Sequence, residues 1–239
     1  MTALTDPSAH AGVATSAFAA DIASPALPAD DLYGRLLATA AGGEPALARV
    51  RLADGRLEPL PLDRWLAPAD DADAAVLERV DAPVLDIGCG PGRHLAALRA
   101  AGKRGLGVDL SPVAVRLARD RGAHAVSGSV WAEVPGARTW RTALLLDGNI
   151  GIGGAPAALL RRAGQLLRPD GRVVVEVDPP GARTYRTRIR IEAADAVSEW
   201  FAWARVGTDG IDLVARRAGL ETCDRFTAGG RTFVTLERR

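Results

Sequence analysis

The chain has 239 residues, about half of them hydrophobic, and a formal net charge of +1. That is enough apolar matter for a sizeable core, and too little net charge to draw the molecule to nucleic acid or a membrane surface. Cys89 and Cys223 are too far apart to suggest a disulfide framework or a zinc site, no apolar run is long enough to span a bilayer, and no basic start followed by an apolar stretch marks a secretion signal, so a cytoplasmic protein without a metal centre is expected.

Residues 1–30 are rich in Ala, Ser, Thr, Asp and Pro and read as a mobile tail. Residues 31–69 read as an N-terminal cap. A helix over Asp31–Ala41 carries Leu32, Leu36 and Leu37 on one face, places Tyr33 on the same helix, and is capped by Asp30 or Asp31. Alternation on both sides of Asp54-Gly55 signals a hairpin, and Pro59 and Pro61 confine its second strand to an edge. Trp65 follows in a short segment, and Asp70–Val80 reads as a helix with an acidic start.

From Asp81 the pattern becomes strand, helix, strand, helix. Val84–Ile87 is a short apolar run that suits a buried parallel strand. Gly88, Gly90 and Gly92 follow, and Arg93–Ala101 reads as a helix. Such a corner gathers backbone N–H groups and the positive end of a helix dipole at one point. The next strands are Gly105–Val108, Ala125–Val126, Thr142–Leu146 and Arg172–Val177, with helices over Pro112–Arg121 and Pro156–Leu167. Ser111 caps the first of these helices and Pro112 fills its first turn. Arg168-Pro169-Asp170-Gly171 reads as a turn. Residues 179–207 interrupt the pattern: Tyr185, Thr187, Ile189 and Ile191 alternate with arginines, and Trp200–Val206 reads as a partner strand or a helix. A helix from Thr208 and two strands joined through Gly229-Gly230 close the chain. The expected fold is α/β, a doubly wound Rossmann-like parallel sheet with a terminal antiparallel strand pair. Gly88, Asp109, Asp147 and Asp178 all fall at carboxyl ends of strands, where such sheets bind ligands.

The glycine spacing selects the ligand. Dinucleotide-binding corners follow G-x-G-x-x-G; here the third glycine comes one residue early and Arg93 takes the dinucleotide position. With Asp86-Ile87-Gly88-Cys89-Gly90-Pro91-Gly92 as a first motif and Gly107-Val108-Asp109-Leu110-Ser111 as a second, the region from about Asp70 to Arg239 resembles the class I S-adenosylmethionine-dependent methyltransferases. The resemblance implies that S-adenosylmethionine is the cofactor. Gly88, Cys89, Gly90 and Gly92 would lie along its methionine part, Asp109 would accept from the ribose hydroxyls, and Leu110 would pack on adenine. Asp86 would lie near the methionine amino group, orient the glycine loop, or do both. The third motif departs from the family pattern, because Ser127-Gly128-Ser129-Val130 carries no acid; Ser129 and the Val130 N–H would place adenine. The glycine-rich stretch from Asp147 to Gly154 would face cofactor and substrate. Asp147 is the candidate general base and cofactor contact, and Asn149 the candidate acceptor-orienting group, against the alternative that both bond their own turn.

Candidates for the substrate side are Tyr33, His94, Arg186 and Trp203. His94 at a helix start, Arg186 on a strand face and Trp203 beside Phe201 are equally the ordinary features of packing and solvation. The expected activity is methyl transfer to an O, N or C atom of a small-molecule acceptor, with no nucleic-acid or membrane partner. Open alternatives are a non-catalytic protein that binds the same cofactor and an aminopropyltransferase-like enzyme that moves another group; the glycine spacing disfavours a nicotinamide-dependent oxidoreductase.

Overall fold

The structure is a computed structural model that describes residues 26–239; the expected tail lies outside the described residues up to position 25. Helix α1 (Ala29–Ala41), the hairpin β1 (Ala48–Leu52) and β2 (Leu57–Pro59), and the short helix α2 (Leu62–Leu66) come first. Helix α3 (Asp71–Glu78) then leads into β3 (Val84–Ile87), α4 (Arg93–Ala100), β4 (Gly105–Asp109), α5 (Pro112–Asp120), β5 (Ala125–Ser127) and β6 (Trp140–Leu145). A 3-10 turn over Asn149–Gly154, α6 (Pro156–Leu166) and β7 (Leu167–Val177) follow. The chain ends with β8 (Tyr185–Ala193), β9 (Phe201–Arg205), α7 (Ile211–Ala218), β10 (Leu220–Ala228) and β11 (Arg231–Arg238).

Local chemistry explains the main boundaries. Asp70 and Asp73 close a reciprocal capping box at the start of α3, each side chain accepting the other's N–H, at 2.8 and 3.1 Å. Ser111 accepts the Ala114 N–H at the start of α5, with Pro112 in the first turn. Two boundaries differ from expectation. Pro28, not an aspartate, stands at the N-cap of α1, and Leu27 already bridges to Ser198, so residues 26–30 belong to the fold. The turn expected at Arg168–Gly171 is absorbed into β7. The pairing with β6 shifts register there, and a Cβ on Gly171 would meet Leu167 and the Arg141 and Arg168 carbonyls at 2.9 to 3.1 Å; the chain bulges instead of turning.

Seven strands form one sheet in the order β10-β11-β7-β6-β3-β4-β5. The five from β3 to β7 are parallel, and β11 and β10 run antiparallel at one edge. Strand order reverses between β3 and β6, the topological switch point at whose carboxyl side such sheets open a crevice. Apolar clusters fill both faces. One is built on Leu85, Leu145, Leu159 and Val175, the other on Val84, Leu98, Leu144 and Phe233.

The remaining four strands form a separate antiparallel sheet in the order β2-β1-β8-β9. The hairpin near the N-terminus thus joins the segment that interrupts the alternation, with Val50 opposite Ile191 and Leu52 opposite Ile189. Helix α1 lies under this second sheet, its Leu32, Leu36 and Leu37 buried with Leu62, Ile191 and Ala193. Trp203 of β9 lies on the glycine-rich turn after β6. A Cβ on Gly151 would fall on the Trp203 indole and the Ala204 carbonyl, which is why that turn is glycine-rich. Among the described residues no helix is long and apolar enough to cross a membrane, and no group of three or more His, Cys, Asp and Glu is placed to hold a metal ion.

Candidate active site

A cavity of about 820 Å³ opens at the switch point, between the carboxyl ends of the parallel strands and the second sheet. Its floor is the loop after β3. Gly88 and Gly90 have φ of +73° and +52°. A Cβ on Gly88 would come within 2.6 Å of the Asn149 amide nitrogen, and one on Gly90 within 3.2 Å of the Tyr33 hydroxyl. Side chains at these positions would collide with Asn149 and crowd Tyr33, and the left-handed backbone also favours glycine there. Asp109, at the end of β4, accepts the Gly90 N–H through one oxygen and the Ser111 N–H through the other, both at 2.9 Å. Burial raises its carboxyl above the usual range, against the lowering by these two bonds. Leu110 stands 57% exposed at the rim, and Ser129 and Val130 line the same end of the cavity.

Cys89 also lines the cavity but is buried; burial, then the carboxylates of Asp86 and Asp109, push its thiol far up. It stays a thiol and acts as a small apolar residue. Two residues expected to touch a cofactor do not face the cavity. Gly92, with φ +80°, packs against α5, where a Cβ would meet the Ala118 methyl at 2.6 Å. Asp86 is buried behind the loop, one oxygen without a hydrogen-bond partner and 3.6 Å from His94 Nδ1. The early third glycine thus serves helix packing, and the motif acid pairs with a histidine.

Behind the loop lies a buried charge network that sequence reasoning missed. Asp73 is fully buried; Arg93 Nη1 is 2.8 Å from it, Arg231 Nη1 2.6 Å and His94 Nε2 3.2 Å. Burial alone would raise the Asp73 carboxyl, but these partners hold it well below the usual range. Arg231 also pairs with Glu176 at 2.6 Å. Burial would raise the Glu176 carboxyl too, and Arg231 holds it low. A sequence signal existed. Glu176 breaks the apolar run Val173–Val177, and a charge in a buried strand requires a partner.

The candidate base is part of this network. Asp147 has φ +54°. Its N–H donates to Glu176 at 2.7 Å, and Arg93 Nη2 reaches both its oxygens at 2.8 and 2.7 Å. Arg231 and Arg64 stand 3.3 and 3.4 Å away. Both carboxylate oxygens are thus taken up by Arg93, with two further guanidinium groups close by. Asn149 likewise spends its amide on the loop, donating to the Ile87 and Gly88 carbonyls at 3.0 and 2.9 Å; it braces the glycines from below.

On the substrate side, Tyr33 lines the cavity edge-on to Trp65, ring centres 5.8 Å apart. Burial, then Asp109, raise its phenol well above the ordinary value, so it remains protonated. Trp203 lines the cavity next to Phe201. Arg186 does not, and is exposed outside the lining; the residues of β8 that do line it are Thr187, Ile189 and Ile191.

His94 touches the cavity wall but is only 4% exposed, between Asp73 and Asp86. Burial alone would lower its pKa; the two carboxylates overcome this and raise it to about 9. The folded protein therefore binds this proton more tightly than the unfolded chain, whose histidine titrates near 6.5. The stabilisation is full below about pH 6.5 and is lost as pH rises through about 9. Urea unfolding is expected to show stability falling by ~2–3 kcal/mol across that window, and His94→Gln to flatten the fall. An equally steep fall in the variant would overturn the assignment.

Comparison with known proteins agrees with this architecture. A family model described as a methyltransferase domain matches residues 62–218. A methyltransferase from Bacteroides fragilis in complex with S-adenosyl-L-homocysteine superposes with a TM-score of 0.74 at 23% identity, over 90% of this chain and 98% of that one. The 1,6-didemethyltoxoflavin-N1-methyltransferase of Burkholderia thailandensis gives 0.56 at 21%, over 90% and 92%. CalS10, an amino pentose methyltransferase from Micromonospora echinaspora, gives 0.53 at 20%, over 74% and 94%. No curated protein matches the sequence significantly. With more than half of its length in the family model and the sheet order just described, this chain belongs to the methyltransferase-domain family and has the class I S-adenosylmethionine-dependent fold.

Proposed function

We propose that the chain transfers the methyl group of S-adenosylmethionine to a small-molecule acceptor. The observation that carries this is the continuity of one cavity. The Gly88–Gly90 cradle and Asp109 lie at one end, and a chamber walled by the second sheet lies at the other. Its volume falls in the range of small-molecule sites.

The residues present fit the cofactor. The glycine loop lines the cavity with backbone at Gly88 and Gly90, and Asp109 stands at the strand end with lone pairs left for hydroxyl donors. Seven carboxylates line the cavity against three arginines and one histidine, an excess of negative charge that suits a sulfonium cation. On this reading Leu110, Ser129 and Val130, which line the cavity, would receive the adenine, and Gly88, Cys89 and Gly90 the methionine part. When bound, the cofactor supplies an already activated methyl group. The protein's own work is then alignment and exclusion of water. Asn149 and the Arg93–Asp147 pair hold the loop rigid, and Tyr33 and Trp65 close the cavity from α1 and α2. Asp147 serves as an anchor and not as the base.

Calorimetric titration with S-adenosylmethionine, S-adenosylhomocysteine and NAD tests the reading. Binding of the first two and not of NAD is expected. Binding of NAD alone, or of none of the three, would overturn it.

A further inference from the structure

The chamber beyond the cradle is walled mainly by Val50, Leu52, Ile189, Ile191, Phe201 and Trp203. A charged group on the second sheet interrupts this apolar wall. Arg205 of β9 donates from Nε and Nη2 to the two oxygens of Asp178, at 3.0 and 2.9 Å. Its Nη1 donates to Glu58 of β2 at 3.2 Å. Asp178 follows β7 at the carboxyl side of the parallel sheet, so the group ties the second sheet to the first and lines the cavity with all three side chains.

The arginine is committed twice over, once in a bidentate pair. An anionic acceptor would find this guanidinium occupied and two carboxylates beside it. The group holds two negative charges against one positive, and Glu58 and Asp178 are half-buried at the cavity wall, where a donor entering the chamber can reach them. An ammonium has three donors and no acceptor, and a positive charge that balances the surplus. Resting on the methyl-transfer reading above, we infer that the acceptor is an apolar-bodied small molecule bearing a basic amine, which Glu58 and Asp178 recognise. Arg205 sets the spacing of the two carboxylates, and their surplus negative charge turns away acids.

The test uses three probes with one apolar body: 2-naphthylmethylamine, 2-naphthylmethanol and 2-naphthoate. Each is titrated calorimetrically into the full chain with and without S-adenosylhomocysteine. The amine is expected to bind about tenfold or more tightly than the alcohol, and naphthoate more weakly than either. Glu58→Gln and Asp178→Asn should each cut the preference for the amine to about threefold or less while leaving S-adenosylhomocysteine affinity unchanged, which also reports that each variant is folded. Equal affinity for all three probes, tightest binding of naphthoate, or no binding of the amine would overturn the inference. Failure of S-adenosylhomocysteine to bind would instead overturn the cofactor reading, and the titrations without it would still decide the amine question.

Discussion

Arg231→Met is expected to lower the unfolding free energy by about 3–5 kcal/mol, the cost of removing one partner from a buried ion pair. The Arg231 guanidinium reaches Glu176 through Nε and Nη2 at 2.8 and 2.6 Å, Asp73 at 2.6 Å and Asp147 at 3.3 Å, and lies over the Phe233 ring. Methionine keeps much of the stem and removes every donor. Glu176 then loses its guanidinium partner, and Asp73 keeps Arg93 and His94 beside it, with the Asp70 N–H of the capping box. For a chain of this length the loss corresponds to a fall in Tm of roughly 10 °C. Arg225→Met is the control. Arg225 pairs with Asp212 at the surface, where such pairs contribute about 1 kcal/mol or less. Chemical denaturation of both variants would show the contrast, and a loss for Arg231→Met no larger than for Arg225→Met would sink the view that this network anchors the site.

Asp109→Ala is expected to weaken S-adenosylhomocysteine binding about 100-fold or more while the protein stays folded. The side chain has two tasks. It holds the Gly90 N–H, which shapes the loop, and it lines the cavity. Hydrogen bonds to a charged group are worth about 1.5–3 kcal/mol each, so the loss of two to ribose hydroxyls supplies the factor at about 1.4 kcal/mol per tenfold. Asp109→Asn should fall between wild type and Ala, because its amide oxygen still accepts. Calorimetry on the three proteins reads the series; an unchanged Kd in the alanine variant would remove Asp109 from the binding site.

The alternation of strands and helices and the glycine corner at Gly88–Gly92 were legible because each is local, a matter of period and spacing over a few residues. The same holds for the acids at strand ends, including Asp109. Partnership across the chain was not legible. The hairpin at Asp54-Gly55 announced two strands, but nothing in them named β8 as the third. Asp147 read as a base and cofactor contact or as a residue bonding its own turn, and its ion pairs stayed hidden because Arg93 and Arg231 lie far from it in sequence. Asp73 read as an acid in a helix's first turn, which it is; its burial under Arg93, His94 and Arg231 comes from three other elements. Gly92 was legible as necessary but not as to why, because its neighbour Ala118 sits on the next helix.

The second sheet also sets an order of events during synthesis. Arg49 of β1 pairs with Glu192 of β8, about 140 residues later. At 5–20 residues per second a ribosome needs roughly ten to thirty seconds to deliver that partner. The five parallel strands that carry the glycine cradle have all been made by then, whereas the early hairpin has waited with an unpaired edge. Pairing so distant is also slow to close. The half of the cavity walled by the second sheet is therefore built on a floor whose strands were made first, and the arginines and Pro59 of the hairpin sit where they can keep that waiting edge from joining another chain.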